Sequence, residues 1–206
     1  MYRLYIALLT CAAAFAQVSH QHHPPRDTGE YARVLNNPSR EKWQKPGEVV
    51  QALQIRPDEV IADIGAGTGY FARRFARHAA KVYAVDIEPR LLEHAAKDAP
   101  ENLITVHAAP DDPKLPPNSV DTVFFCNVLH HIENRPEYLK KLAAALRPGG
   151  RIVNIDFYKK ELPVGPPPSM KLTEEEVVST FKAAGFQQSK SLDFLPYQYF
   201  LVFVKQ

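Results

Sequence analysis

Val60-Ile61-Ala62-Asp63-Ile64-Gly65-Ala66-Gly67-Thr68-Gly69-Tyr70, followed after a helical stretch by Val82-Tyr83-Ala84-Val85-Asp86, decides how this chain folds. An apolar strand runs into a glycine turn, a helix follows, and a second apolar strand ends in an acid. Glycines let the main chain turn tightly and approach a ligand with no Cβ in the way. The helix expected from Tyr70-Phe71-Ala72-Arg73-Arg74-Phe75 would point its free N–H groups at whatever rests on the turn. Asp86 comes about 20 residues after the first glycine, at the tip of the next strand, where a carboxylate can accept both hydroxyls of a ribose. The pattern is that of a nucleoside site built from backbone.

Glycine spacing separates two ligands for such a site. A dinucleotide site expects Gly-x-Gly-x-x-Gly, the last glycine allowing close helix–strand packing under a pyrophosphate. Here the spacing is Gly-x-Gly-x-Gly, and Tyr70 stands where the third glycine of a dinucleotide site would be. Asp63 adds a carboxylate at the mouth of the first strand, which would repel a pyrophosphate and attract a cationic amino acid. The expected ligand is positively charged and lacks phosphate. S-adenosylmethionine, with its α-ammonium and sulfonium, fits; NAD does not.

Asp63-Ile64-Gly65-Ala66-Gly67-Thr68-Gly69 resembles the first motif of class I S-adenosylmethionine-dependent methyltransferases, of the type 11 kind. Further segments match in order: Asp86 ending strand two, Leu115-Pro116-Pro117-Asn118-Ser119-Val120-Asp121 before strand four, Asn127-Val128-Leu129-His130-His131-Ile132 after it, and Leu146-Arg147-Pro148-Gly149-Gly150 before strand five. The resemblance covers roughly residues 47 to 206. It implies an α/β fold, a Rossmann-like doubly wound seven-stranded sheet of order 3-2-1-4-5-7-6 with strand seven antiparallel. It also implies that Gly65, Gly67 and Gly69 let the backbone pass the methionine portion, and that Asp63 orders the turn or meets the α-ammonium. Asp86 takes the ribose hydroxyls, Ile87 covers one face of the adenine, and Asn127 lies on the cofactor side at the end of strand four. Relatives place an Asp after strand three against the adenine amino group. That place holds Ala109 here, with Asp111 as a substitute two residues on.

Methyl transfer from a sulfonium needs mainly positioning and exclusion of water, and a base only where the nucleophile starts protonated. His130 and His131, just past strand four, are the catalytic candidates, with Asp156 and Tyr158 past strand five. Adjacent histidines there equally suit capping the following helix. The acceptor is narrowed by exclusion. Asn127-Val128-Leu129-His130 lacks the Asn/Asp-Pro-Pro-aromatic signature of amino-group nucleic-acid methyltransferases, and no Pro-Cys pair supplies a cytosine-C5 thiolate. A small-molecule methyl acceptor is expected, with Phe124, Tyr158, Tyr197 and Tyr199 hinting at an apolar or aromatic one. The alternatives are an exported domain that binds an adenosyl ligand without turnover, and a NAD-type oxidoreductase.

The 206 residues, 45% of them hydrophobic, suffice for one globular domain with a substantial core. The formal charge of +2 without a Lys/Arg cluster argues against nucleic acid as a partner. Oligomeric state is not legible. Residues 1–16 have the parts of a secretory signal: Arg3, an apolar run too short to span a bilayer stably, and Ala14-Phe15-Ala16 as a cleavage site. A secreted or periplasmic location with no stable membrane insertion is expected, or a cytoplasmic one if the run is instead a packed helix. His20, His22 and His23 read as solvated linker residues, so no metal site is expected. Cys126, inside an apolar strand, reads as a buried small hydrophobe.

Residues 17–46 read as a linker and a helical cap carrying Tyr31, Arg33, Trp43, Gln44 and Lys45, with Trp43 expected to pack the cap on the sheet. Residues 47–206 form the domain. Val60–Asp63, Val82–Asp86, Leu103–His107, Thr122–Cys126 and Ile152–Phe157 read as buried parallel strands. Helices are expected over Tyr70–His78, Pro89–Ala96 and Pro136–Leu146. Thr173-Glu174-Glu175-Glu176 is a capping box opening another, and Ser189–Phe194 with Gln198–Val204 reads as an antiparallel hairpin. The stretch Gly165-Pro166-Pro167-Pro168 is a stiff loop placed to border an acceptor pocket.

Overall fold

A computed structural model describes residues 27–206. The expected leader at 1–16 and His20, His22 and His23 lie outside the described residues. Seven strands form one sheet in the order β3-β2-β1-β4-β5-β7-β6. They are β1 (Val60–Ile64), β2 (Lys81–Asp86), β3 (Leu103–His107), β4 (Val120–Cys126), β5 (Leu146–Phe157), β6 (Phe186–Leu192) and β7 (Gln198–Lys205). The first five pair in parallel, and β7 runs antiparallel to both β5 and β6. Every residue of β1 is buried, as a central parallel strand covered on both faces requires.

The helices are α1 (Thr28–Leu35), α2 (Arg40–Gln44), α3 (Pro46–Leu53), α4 (Ala72–Phe75), α5 (Pro89–Ala96), α6 (Arg135–Ala145) and α7 (Glu174–Ala183). Val49, Leu53, Phe71 and Phe75 fill one face of the sheet together with Phe124. Tyr138, Leu139, Leu142, Val177 and Phe181 fill the other with Phe125 and Phe203. The crossovers leave the carboxyl ends of β1, β2, β4 and β5 at one edge, where α1 and α2 lie over them.

Three elements depart from the sequence expectation by more than two residues at one end. The helix expected over Tyr70–His78 is regular only at Ala72–Phe75, because the turns at either end close on the third residue: Arg74 N–H donates to Phe71 O (2.8 Å) and His78 N–H to Phe75 O (2.8 Å). β5 begins at Leu146 rather than Ile152. Leu146 pairs with Val120, and the register then slips before Thr122 meets Arg151. Gly150 sits in that irregularity, where a Cβ would stand 2.9 Å from Arg147 O. β6 starts at Phe186 rather than Ser189, because Phe186 is fully buried against Phe181 immediately after the chain leaves α7.

Candidate functional site

The glycine turn is fixed by the end of β2. Gly65 and Ala66 both donate their N–H to Val85 O (2.7 and 3.0 Å), and Gly67 donates to Asp86 Oδ2 (2.7 Å). Gly65 has φ +67°, and a Cβ there would meet Val128 Cγ2 at 2.3 Å, so only glycine fits between β1 and the segment after β4. Above this turn lies a cavity of about 780 Å³, walled by the strand ends below and by α1 and α2 above.

Asp63, Gly65, Gly67, Asp86, Ile87, Asn127, His130 and His131 all line that cavity. Gly69 does not; it backs onto α5, where its missing Cβ would come within 3.1 Å of Ala95 Cβ. Asp111 does not either. Ala109 and Asp112 exchange backbone hydrogen bonds (2.9 and 3.1 Å), which turns Asp111 outward to an exposed pairing with Lys141. The wall at that point is Ala108, Ala109 and Pro110, which offers the adenine edge no carboxylate.

Two carboxyl groups dominate the electrostatics. Burial pushes Asp63 up to about 8, against the pull of the Ala72 N–H and the Arg40 charge. The Ala72 N–H at the start of α4 is thus directed to Asp63. Burial also raises Asp86, opposed by the N–H groups of Glu88, Gly67 and Ile87. Asp86 Oδ1 accepts from Glu88 N–H (2.9 Å) and Oδ2 from Gly67 (2.7 Å), and the carboxylate keeps acceptor capacity for a hydroxyl. Ile87 beside it is 48% exposed, an apolar side chain offered to the cavity.

Sequence reasoning missed Arg40. Its guanidinium stacks 4.0 Å over the Tyr70 ring, donates to Leu35 O (3.1 Å) and Gln44 Oε1 (3.3 Å), and lines the cavity near Asp63. Arg74 stacks on Tyr70 at 4.1 Å, and Glu41 binds both the Tyr70 hydroxyl (3.0 Å) and Arg74. Gln44, fully buried, donates to Gln198 Oε1 (2.8 Å), and Gln198 donates to Asn127 Oδ1 (2.6 Å), tying the cap to β7 and the end of β4. Trp43 packs on Phe157 (5.7 Å between centroids) and also faces the cavity.

At the other end of the cavity, His130 Nδ1 lies 2.9 Å from both oxygens of Asp156, with the two side chains 2% and 0% exposed. His131 is exposed, its ring 4.1 Å from that of His130. Tyr158 and Asp156 do not line the cavity; Asp156 acts from behind His130. Cys126, expected as a buried core residue, is partly buried and lines the cavity, and desolvation pushes its thiol up to about 12. The aromatic residues expected to signal the acceptor lie elsewhere: Phe124 is core, and Tyr158 packs on Tyr199. The aromatic walls are instead Tyr31, Trp43, Tyr70, Phe71, Tyr138 and Phe157, with Gly165 and Pro166 closing the rim as the stiff loop implied.

A family model for a methyltransferase domain matches residues 62–154, the span from the middle of β1 to the middle of β5. This segment belongs to that methyltransferase family. Demethylmenaquinone methyltransferase of Tropheryma whipplei is 34% identical over 106 residues, covering 51% of this chain and 44% of that protein. A tRNA U34 carboxymethyltransferase of Ruthia magnifica is 31% identical over 136 residues, covering 60% of this chain and 42% of its own. The chain thus spans less than half the length of these two relatives. Among solved structures, an S-adenosylmethionine-dependent methyltransferase from Aquifex aeolicus superposes with a TM-score of 0.80 over 86% of this chain and 97% of that one, at 23% identity. One from Mesorhizobium loti gives 0.65 over 76% and 95%, at 17% identity. At such identities the likeness is one of fold, and the sheet order of this methyltransferase domain is the same as that implied by its first motif. No helix among the described residues is long and apolar enough to cross a membrane.

Proposed function

We propose that this domain binds S-adenosylmethionine in the capped cavity and passes its methyl group to a small, largely apolar acceptor. The observation that carries the reading is the pair of carboxyl groups, Asp63 and Asp86, held by adjacent strands at the wall of one cavity of about 780 Å³. When bound, S-adenosylmethionine supplies an electrophilic methyl on a sulfonium. Asp86 suits the ribose hydroxyls with its remaining lone pairs, and Ile87 suits the adenine face. Asp63, buried and short of a full counter-charge, suits the α-ammonium, while Arg40 suits the α-carboxylate. α1 and α2 lie over the strand ends and partly cover the cavity, whose lining keeps Tyr31, Val34 and Ile87 open to solvent. The demethylmenaquinone relative supports a small-molecule acceptor. The tRNA relative is a contrary precedent, against which stands the near-balanced charge.

Calorimetric titration with S-adenosylmethionine, S-adenosylhomocysteine and NAD tests the cofactor. The two adenosyl ligands should bind and NAD should not. Asp86→Ala should weaken S-adenosylhomocysteine by about tenfold or more, the worth of 1.4 kcal/mol. Unchanged affinity in that variant would remove the ribose assignment.

A further inference from the structure

We infer that His130, held by Asp156, is the general base of this site, and that the acceptor enters as a hydroxylated aromatic with its oxygen still protonated. The inference rests on the methyltransferase reading and adds to it the acceptor's class and protonation state. An ionised carboxylate only accepts hydrogen bonds, so Asp156 fixes the proton on Nδ1 and makes Nε2 the basic nitrogen of a ring that lines the cavity. Asp156 is itself anchored: its Oδ1 accepts the Phe157 N–H (2.9 Å). The backbone carrying His130 is anchored too, because Arg135 donates to Leu129 O (2.9 Å) and His130 O (3.1 Å). A histidine that merely capped α6 would need neither a buried carboxylate nor a place on the cavity wall. The same cavity is lined by the rings of Trp43 and Phe157 and by Ile132 and Pro166, apolar surface suited to an aromatic ring.

Charged and titratable groups face His130 from several elements. Asp156 faces it from β5, His131 from its own turn, and Arg135 from α6, with Glu176 of α7 acting on Arg135. Tyr199 of β7 faces Asp156 with a phenol that burial holds neutral, and Cys126 of β4 is likewise neutral. Arg40 and Asp63 lie farther along the same cavity. The acceptor O–H bond breaks with its pair staying on oxygen and its proton passing to Nε2. S-adenosylmethionine, when bound, would supply the methyl to that oxygen and keep the carbon–sulfur pair on its sulfur, and the proton held on His130 would pass to water. Asp156 is a positioning residue in this scheme.

4-Nitrocatechol, whose ionised form absorbs in the visible, probes the proton transfer without turnover when the protein is loaded with S-adenosylhomocysteine. The bound catechol should ionise about one pH unit or more below the free one, a tenfold shift in favour of the anion. His130→Gln and Asp156→Asn should keep S-adenosylhomocysteine affinity and lose that shift, and Asp156→Glu should restore part of it. Nitrogen-15 spectra of the wild-type His130 ring should show the Nδ1–H tautomer, a readout independent of any variant's folding. A wild-type protein that binds S-adenosylhomocysteine without ionising the catechol, a shift that survives in His130→Gln, or an Nε2–H tautomer would each overturn the assignment. Failure to bind S-adenosylhomocysteine at all would instead overturn the methyltransferase reading beneath it.

Discussion

Asp63 is the residue whose charge depends most on what fills the cavity. Its pKa of about 8, raised by burial, lies above the ordinary carboxylate value that an unfolded chain would show. A carboxyl shifted this way favours the folded state while protonated. The ligand-free domain should therefore lose stability as pH rises from the ordinary carboxylate range towards 8, and Asp63→Asn should flatten that loss. An α-ammonium beside Asp63 reverses the preference and drives the proton off. S-adenosylhomocysteine titrated at pH about 7 in two buffers of different ionisation enthalpy should report release of about one proton, and Asp63→Asn should report none. Equal heats in both buffers for the wild type would place the ammonium elsewhere. Asp63 and Asp86 were legible because strand–turn–strand order fixes where the residues at a strand's carboxyl end lie. Arg40 was not, because a basic residue on a short helix outside the sheet has no register, and only the fold-back of α2 onto Tyr70 gives it a role. Asp111 misled because the closure between Ala109 and Asp112 decides which way that loop faces, and no spacing encodes it.

At the scale of elements, what could be read was whatever local chemistry specifies by itself. The α7 capping box is present as both of its hydrogen bonds: Glu176 N–H donates to Thr173 Oγ1 (3.1 Å) and Thr173 N–H to Glu176 Oε2 (2.6 Å). α5 opens with Pro89 behind a Glu88 carboxylate that accepts the Arg90 N–H (3.1 Å), and its expected bounds, Pro89–Ala96, are those observed. The shortened α4 and the early start of β5 were hidden because both depend on tertiary fit. Tight turns flank the first, and a pairing across to Val120 draws out the second. Thr173→Ala, which removes one side of the box, should lower stability by about 1 kcal/mol in urea unfolding with an unchanged slope. Since no residue of α7 lines the cavity, S-adenosylhomocysteine affinity should stay the same in that variant. A loss of affinity without loss of stability would mean that α7 bears on the site.

At the scale of the molecule, the sheet and the cap are held by different forces. α3 anchors through Val49 and Leu53, both in the core, whereas α1 buries only Ala32. The cap before α3 is tied down chiefly by polar contacts: Thr68 donating to Asn36 Oδ1 (2.8 Å), Glu41 with Tyr70 and Arg74, and Gln44 with Gln198. A segment with little buried apolar area opens at low free energy compared with a core strand. The cavity lies beneath this segment, so a ligand that touched Tyr31 and Arg40 as well as the strand ends would hold the segment against the sheet. Amide hydrogen exchange on the full chain should therefore show residues 28–44 exchanging faster than α3 and β1 without ligand. Saturating S-adenosylhomocysteine should slow exchange in 28–44 and leave β6 unchanged. Protection of 28–44 equal to that of α3 before ligand is added would make the cap part of the rigid core. Exchange there that ignores the ligand would mean that the adenosyl group binds without the roof.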